Sequence, residues 1–379
     1  MRVNAIVMAL PLLVLAACSG AGPETVGSVA PPSGSTGTGS TGSGGSGGGV
    51  SPTPGATPTP TPSANFLSGL TTETSFSAIG AMHSFDYTTV NNVTYEQYQG
   101  NASTVSAPSG TITYSPRDGI FSIAFNDTKA GVADTITFQD PAHRADYNPE
   151  NTPVLEAPNL AGFNYLEAGD ATQRATFFYQ RPDATTYVTL AGFTRTANDA
   201  TGVTKREHGV FVFGSLTPQA QVPISGTASY TGGFLASAVL NTDYLQWIAG
   251  NSTINVDFGK STVGLGFTGA IGTTFRDGAI VPDASLIYPS GTAFTATGHA
   301  TIDLLRSGGF SGAFDSAKLG ADTINFSGIN AGSNVAGASS IDGAFFGPGA
   351  VNVGGNFRIV GGVPGQRVDI QGAFTGAKK

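Results

Sequence analysis

The sequence contains a single cysteine, Cys18, so it can form neither an intrachain disulfide nor a metal site built from several thiolates. Charged residues are scarce as well, at 11% of the chain, and no segment is strongly basic. This composition argues against a nucleic-acid-binding protein. The acidic excess lies in residues 65–218, which hold 15 acidic and eight basic residues, whereas residues 219–379 are nearly balanced and lack glutamate. The length suffices for two domains.

Glycine and phenylalanine are abundant, with 54 and 24 residues. Such usage is typical of apolar strands joined by Gly-rich turns, and it argues against long helices. Short alternating runs predict an all-β chain, with a β-rich domain over residues 65–218 and a soluble eight-stranded antiparallel β-barrel over residues 219–379. A closed barrel of that size has no exposed sheet edge, and its interior is filled by side chains.

The N-terminus has the pattern of a signal peptide. Arg2 precedes an apolar run from Ala5 to Ala17, which is too short to span a bilayer as a stable helix. The run ends in Leu15-Ala16-Ala17-Cys18, which resembles the lipobox of bacterial lipoproteins. That resemblance implies a signal peptide over residues 1–17, a lipidated Cys18 and, because Ser19 follows instead of Asp, sorting to the outer membrane. The alternative is a stray cysteine in an ordinary signal peptide.

Residues 18–64 form a low-complexity segment rich in Gly, Ser, Thr and Pro, in which Glu24 is the only charge. Such a segment cannot bury enough apolar surface to fold. As a flexible coil it would span very roughly 35–40 Å, and its proline-rich second part would extend it further. We therefore expect a tether that holds the following domains away from the membrane.

The last part of the chain carries a characteristic pattern of glycines and aromatics. It reads Gly343-Ala344-Phe345-Phe346-Gly347-Pro348-Gly349-Ala350, then Gly354-Gly355-Asn356-Phe357, and closes on Gly376-Ala377-Lys378-Lys379. This predicts a strand, a Gly-Pro corner, a second strand and a last strand. The pattern resembles the C-terminal barrel of the transferrin-binding-protein-B-like surface lipoproteins, although those proteins usually have Glu where Asn352 stands. The resemblance implies one lobe, made of a handle domain over residues 65–218 and a barrel.

Few residues in the sequence point to catalysis or metal binding. The four histidines are scattered, and the paired aspartates border turns, where the side chain commonly bonds to its own backbone. We therefore expect neither catalytic residues nor a metal site. His143 differs from the other histidines, because it lies with Tyr147 in a polar, proline-containing loop over His143–Asn159. This pair could ligate a haem iron, and the alternative is a solvated loop.

A second candidate site is the segment Asn241–Gly250, which interrupts the alternating pattern between two barrel strands. It carries Tyr244 and the only tryptophan, Trp247, residue types that are enriched at protein interfaces. The alternative is one helical turn that plugs the end of the barrel, with Tyr244 pointing inward. A second long connection, Thr274–Gly291, is expected on the same rim.

The family resemblance implies a surface-displayed outer-membrane lipoprotein that captures a nutrient, either haem or iron carried by a host protein, often beside an outer-membrane transporter. Two other functions stay open. The chain could be a surface adhesion or interaction lipoprotein that binds another protein without any role in transport, or it could be an envelope enzyme.

Overall fold

The structure is a computed structural model, and its described residues are 65–90, 93–101, 110–127, 132–139, 157–158, 160–169, 173–183, 186–198, 204–240, 245–276, 279–305, 309–326, 338–364 and 366–379. Within these ranges the chain is almost entirely β-strand, with single 3-10 turns at Gln219–Gln221, Asp283–Ser285 and Pro348–Ala350. The predicted all-β class is confirmed.

The first half of the chain forms one antiparallel sheet, called the first sheet below. Its strands are β1 (Thr74–Val90), β2 (Val93–Asn101), β3 (Gly110–Ser115), β4 (Ile120–Asp127), β5 (Val132–Gln139), β6 (Phe163–Gly169), β7 (Gln173–Gln180), β8 (Val188–Asn198) and β9 (Thr204–Gly214). Their order is β5-β4-β3-β1-β9-β8-β7-β6, and β2 pairs with the second half of β1. The outermost strands β5 and β6 also approach each other, so the sheet curls towards a barrel.

Aromatic side chains fill the concave side of the first sheet. Phe121, Phe138, Phe177 and Phe211 are buried there, and the rings of Phe177 and Phe211 stack with centroids 6.0 Å apart. Such rings bury large apolar areas, so this sheet has a hydrophobic core of its own.

The second half of the chain forms a closed barrel. Its strands are β10 (Thr227–Leu240), β11 (Leu245–Asp257), β12 (Thr262–Ile271), β13 (Phe275–Arg276), β14 (Ala279–Ile280), β15 (Ala293–Asp303), β16 (Gly309–Leu319), β17 (Asp322–Thr323), β18 (Ala338–Phe346), β19 (Asn352–Val363) and β20 (Gln366–Lys378). The eight strands β10, β11, β12, β15, β16, β18, β19 and β20 pair in this order, and β20 pairs again with β10. The predicted eight-stranded antiparallel barrel is confirmed.

The C-terminal pattern folds as the sequence predicts. Strand β18 ends at Phe346, the chain turns through Pro348–Ala350, and β19 and β20 follow. Gly347 and Gly349 have φ values of 72° and 62°, a left-handed conformation that side chains with a Cβ rarely adopt. The tight corner between β18 and β19 therefore requires glycine at both positions.

The first sheet and the barrel pack against each other through a buried layer. Val188, Leu190, Val210 and Val212 of the first sheet belong to the same apolar cluster as Leu235, Trp247, Ala344, Phe346 and Ala373 of the barrel. Residues Thr59–Lys379 accordingly form one compact unit. The two sheets lie on either side of the boundary that the sequence predicts near residue 218.

Candidate binding surface

The barrel has two different ends, named here by their connections. The near end holds the turns 258–261 and 347–351, and the far end holds the connections 241–244, 272–292, 320–337 and 364–365. Strand pairing supports this division, since Val239 pairs with Leu245 and Val363 with Gln366 at the far end. The far end therefore has the longer connections.

The described part of the chain begins at the near end. Asn65 donates from Nδ2 to the carbonyl of Pro182 at 3.2 Å, just before strand β8. The Tyr187 amide at the start of that region donates to Asn352 Oδ1 at 2.9 Å, and Asn352 is the first residue of β19. Asn65 thus lies on the side of the molecule where the β18–β19 corner is located.

The connection 272–292 closes the far end of the barrel. Gln246 Nε2 donates to Thr274 Oγ1 at 2.7 Å and to the carbonyl of Tyr288 at 2.9 Å. The Tyr288 hydroxyl donates to Asp322 Oδ2 at 2.9 Å, and the Tyr288 ring belongs to the barrel core. Burial, together with the hydrogen bond and charge of Asp322, raises the pKa of Tyr288 to about 12. Hydrogen bonds thus fix this connection to β11 through Gln246 and to β17 through Asp322.

Two large apolar side chains project from this fixed connection into solvent. Ile280 is 65% exposed and Ile287 is 64% exposed. Between them, Asp283 Oδ1 accepts a hydrogen bond from the Ser290 amide at 3.0 Å, which holds the intervening turn. Exposed aliphatic side chains on a rigid support are suited to contact with another molecule.

The structure corrects the prediction for Asn241–Gly250. Residues Leu245–Gly250 belong to strand β11, so this part of the segment is neither a helical plug nor a free loop. Trp247 is only 2% exposed, and its ring packs between Phe178, with centroids 5.6 Å apart, and His208 at 6.0 Å. Trp247 therefore joins the two sheets and is not available to a ligand on the surface.

The other predicted site residues lie outside the described residues. Tyr244 belongs to the far-end connection between β10 and β11, whereas His143 and Tyr147 belong to the segment between β5 and β6. The end of β5 and the start of β6 are on the near side, because Gln139 pairs with Ile120 and Phe163 with Gln180. The two predicted loops therefore start from strand ends on opposite sides of the molecule.

The described residues offer little for acid–base or metal chemistry. No group of three or more His, Cys, Asp or Glu in these ranges could hold a metal ion. His299 Nδ1 lies 2.6 Å from Asp315 Oδ1, but both side chains are more than half exposed on the outer face of the barrel. The same ranges contain no helix with the length and hydrophobicity needed to span a bilayer.

The carboxyl group of Asp342 on the barrel has a raised pKa. Burial raises the pKa of Asp342 on β18 to about 6, from an ordinary value of 3.8. The folded state therefore favours the protonated form, and ionisation above pH 6 lowers its stability.

We expect the Asp342→Asn variant to be more stable than the wild type by about 1 kcal/mol at pH 8. A fully buried carboxyl group would give a larger gain, but the Asp342 side chain is only half-buried. The gain should shrink as the pH falls through 6 and vanish below about pH 4. Urea unfolding at several pH values measures it. Asp118→Asn, at a half-exposed carboxylate beside Arg117, is the control and should change little. A gain that does not depend on pH would contradict the prediction.

No protein-family model and no curated protein matches this chain. Similar solved structures are those of transferrin-binding protein B. A single mutant of this vaccine antigen from Haemophilus parasuis Hp5 is 15% identical with a TM-score of 0.35, over 72% of this chain and 54% of that chain. Intact Ap-TbpB, with N and C lobes, is 14% identical with a TM-score of 0.33, over 72% and 55%. A double mutant from Haemophilus parasuis Hp5 is 11% identical with a TM-score of 0.34, over 79% and 76%.

The chain thus spans about half the length of the first two of these structures. They are structures of the protein whose family the C-terminal pattern resembles. Identities of 11–15% concern the fold alone, so the function has to be inferred from the residues of this chain.

Proposed function

We propose that this chain is a binding lipoprotein of the bacterial outer membrane, displayed at the cell surface, and that it captures a nutrient ligand with the far end of its barrel. The observation that carries the proposal is the fixed connection 272–292, which presents the exposed Ile280 and Ile287. The expected lipid at Cys18 and the tether over residues 18–64 supply the attachment.

The place where the tether joins the folded part supports this orientation. Asn65, the first described residue, lies on the near side, away from the connections of the far end. A body held by its near end presents its far end to the medium. Loops on a rigid scaffold are the usual location of recognition residues.

The ligand that fits the far end is a protein, because aliphatic side chains on a rigid rim suit a protein interface and contribute no iron ligand. In the proposed role this protein carries iron, and an outer-membrane transporter would take the iron up. Haem is the second possible ligand, with His143 and Tyr147 as its candidate ligands. A protein partner without iron would instead make the chain an adhesion or interaction module.

The lipid anchor is tested by the Cys18→Ala variant. We expect the wild type to remain with the membrane fraction and to give a triacylated N-terminal peptide by mass spectrometry, since several acyl chains anchor a protein stably. The variant should be released or mislocalised. A variant that stays as firmly bound to the membrane as the wild type would refute lipidation at this residue.

The binding surface is tested with iron-loaded transferrin and with hemin as probes. The Ile280→Ser/Ile287→Ser variant should bind transferrin about 5–30-fold more weakly, as expected when 1–2 kcal/mol of interface contact is lost. The matched control is Ile224→Ser/Leu305→Ser, which alters two side chains that are each 88% exposed, Ile224 before β10 and Leu305 after β15, both on the near side. Equal binding by both double variants would exclude the far end.

For hemin, a shifted Soret band that weakens in His143→Ala or Tyr147→Phe would assign the haem site to the segment between β5 and β6. If neither probe binds the wild-type protein, the proposed nutrient role is wrong, and the adhesion module is the remaining candidate.

A further inference from the structure

A histidine is completely buried where the first sheet meets the barrel. His83, in the middle of β1, has an exposed fraction of 0%. Its Nδ1 lies 2.9 Å from the Ser237 hydroxyl on β10, and its Nε2 lies 3.6 Å from Asp369 Oδ1 on β20. Both contacts cross from one sheet to the other. His83 therefore contacts polar groups on two barrel strands while it belongs to the first sheet.

The carboxylate that contacts His83 also contacts two arginines. Asp369 is 1% exposed, and its Oδ2 lies 3.3 Å from Arg358 Nη2 and 4.0 Å from Arg367 Nη2. From the first sheet, His208 on β9 is the backbone pairing partner of His83 and is 4% exposed. One carboxylate thus faces two guanidinium groups, and a proton on His83 would add a further positive charge.

The environment favours the neutral form of His83. Burial lowers its pKa, the hydrogen bond and charge of Asp369 offset this effect in part, and His208 and Arg358 lower the pKa further. Burial alone would raise the pKa of Asp369, but its contacts with His83 and with the Arg358 guanidinium hold it well below its usual range. At neutral pH the contact is therefore a neutral imidazole beside an ionised carboxylate.

We propose that the junction between the first sheet and the barrel is an acid-sensitive latch, closed while His83 is neutral and loosened when His83 takes up a proton. The proton adds a positive charge at a fully buried position, beside a carboxylate that Arg358 and Arg367 already share. Separation of the two sheets exposes the imidazolium to water and removes this cost. The latch would change the arrangement of the connections of both sheets without unfolding either core.

The sign of the pH dependence follows from linkage. In the separated state His83 recovers an ordinary pKa near 6.5, so the separated state binds the proton more tightly than the closed state. The closed state is fully favoured above that pH and loses stability below it. The equilibrium constant for opening should then rise about tenfold for each pH unit below about 6.

Trp247 provides a reporter for this opening. It is the only tryptophan of the chain, it is 2% exposed, and it lies at the junction against Phe178 and His208. Opening should shift its emission to the red and make it accessible to acrylamide. Accessibility is the better readout, because a change of charge near the indole could alter the intensity of Trp247 without any movement.

The experiment measures acrylamide quenching of Trp247 in the full-length chain between pH 8 and pH 5. The wild type should become more accessible as the pH falls, and the His83→Gln variant should lose this dependence. The matched control is His299→Gln, at an exposed histidine on the outer face of the barrel, which should behave like the wild type. A flat wild-type profile, or an unchanged profile in His83→Gln, would overturn the latch.

Hydrogen exchange of the unmodified protein gives a second test that does not depend on the folding of a variant. Amides of residues 79–85 and 367–373, which flank the junction, should lose protection in acid before those of β15, which lies away from it. Loss of protection at the same pH in all three segments would mean global acid unfolding and would overturn the proposal.

Discussion

Replacing Asp369 by alanine should lower the free energy of unfolding by about 3 kcal/mol, because it removes the carboxylate that faces Arg358 and Arg367 in the layer between the two sheets. The cost lies at the lower end of the range for a broken buried pair, since Arg358 and Arg367 keep 31% and 46% of their side-chain surface exposed. Water can therefore hydrate part of the charge that is left behind.

Urea unfolding at pH 7.5, followed by far-UV circular dichroism, measures this effect. The Asp369→Asn variant tests the contribution of the charge alone, because the amide keeps the size of the side chain and loses its charge. It should destabilise the protein nearly as much as Asp369→Ala. Asp315→Ala is the control, since that carboxylate is more than half exposed and should contribute about 0.5 kcal/mol or less. A loss below 1 kcal/mol in both Asp369 variants would show that the layer does not depend on this charge.

The position of Asp369 illustrates what strand periodicity can and cannot predict. Alternation places Val368, Ile370 and Phe374 on one face of the last strand, and the structure confirms that face as the barrel core. The opposite face, with Asp369 and Gln371, would be expected in solvent. It is covered by the first sheet instead, and Gln371 Nε2 donates to the carbonyl of His208 at 3.1 Å. Alternation along a strand therefore does not predict that a second sheet covers its polar face.

Strand β1 and the start of β11 share one physical property. In the middle of β1, Ile79 faces the barrel while Ala78 and Met82 face the core of the first sheet, so apolar residues occupy both sides. Trp247 and Ile248 of β11 divide between the two layers in the same way. Where both faces of a strand are buried, the contrast between polar and apolar positions disappears. The alternation of polar and apolar residues then cannot distinguish a strand from a helical turn that plugs the barrel.

The same layer affects the independence of the barrel. The sequence predicts a barrel domain of its own over residues 219–379. A separated barrel would expose Leu235, Trp247 and Ala373, all of which are buried against the first sheet. We therefore expect the isolated fragment to be less stable and more prone to association than the barrel within the whole chain.

The barrel core combines large rings with glycines on the neighbouring strands. Phe357 of β19 pairs directly with Gly372 of β20, and a Cβ at Gly372 would overlap with the ring of Phe357. Phe310 covers Gly343 in the same way. Glycine has no side chain, so it leaves space for the ring on the neighbouring strand. The recurring combination of glycine and phenylalanine in the sequence therefore reflects how the barrel interior is packed.

The Phe357→Ala variant should therefore lose about 3–5 kcal/mol of free energy of unfolding. Phe357 is fully buried, and its ring contacts Phe267 and Phe314 with centroids 5.0 and 5.4 Å apart, so the truncation leaves a cavity that the strands cannot close. Urea unfolding measures the loss, and Ile287→Ala, at an exposed position, should stay within about 0.5 kcal/mol of the wild type.

The reciprocal change gives a sharper test of the pairing. Gly372→Ala should cost about 1–3 kcal/mol, because its Cβ meets chiefly the ring of Phe357 and also, at 2.9 Å, the Cβ of Ala236. Gly264→Ala is the matched control, since a Cβ at Gly264 meets no atom within 4 Å and should be neutral or slightly stabilising. In the Phe357→Ala/Gly372→Ala variant the new methyl group enters the space that the ring has left, so the two losses should not add. Additive losses would mean that the ring does not depend on the glycine opposite it.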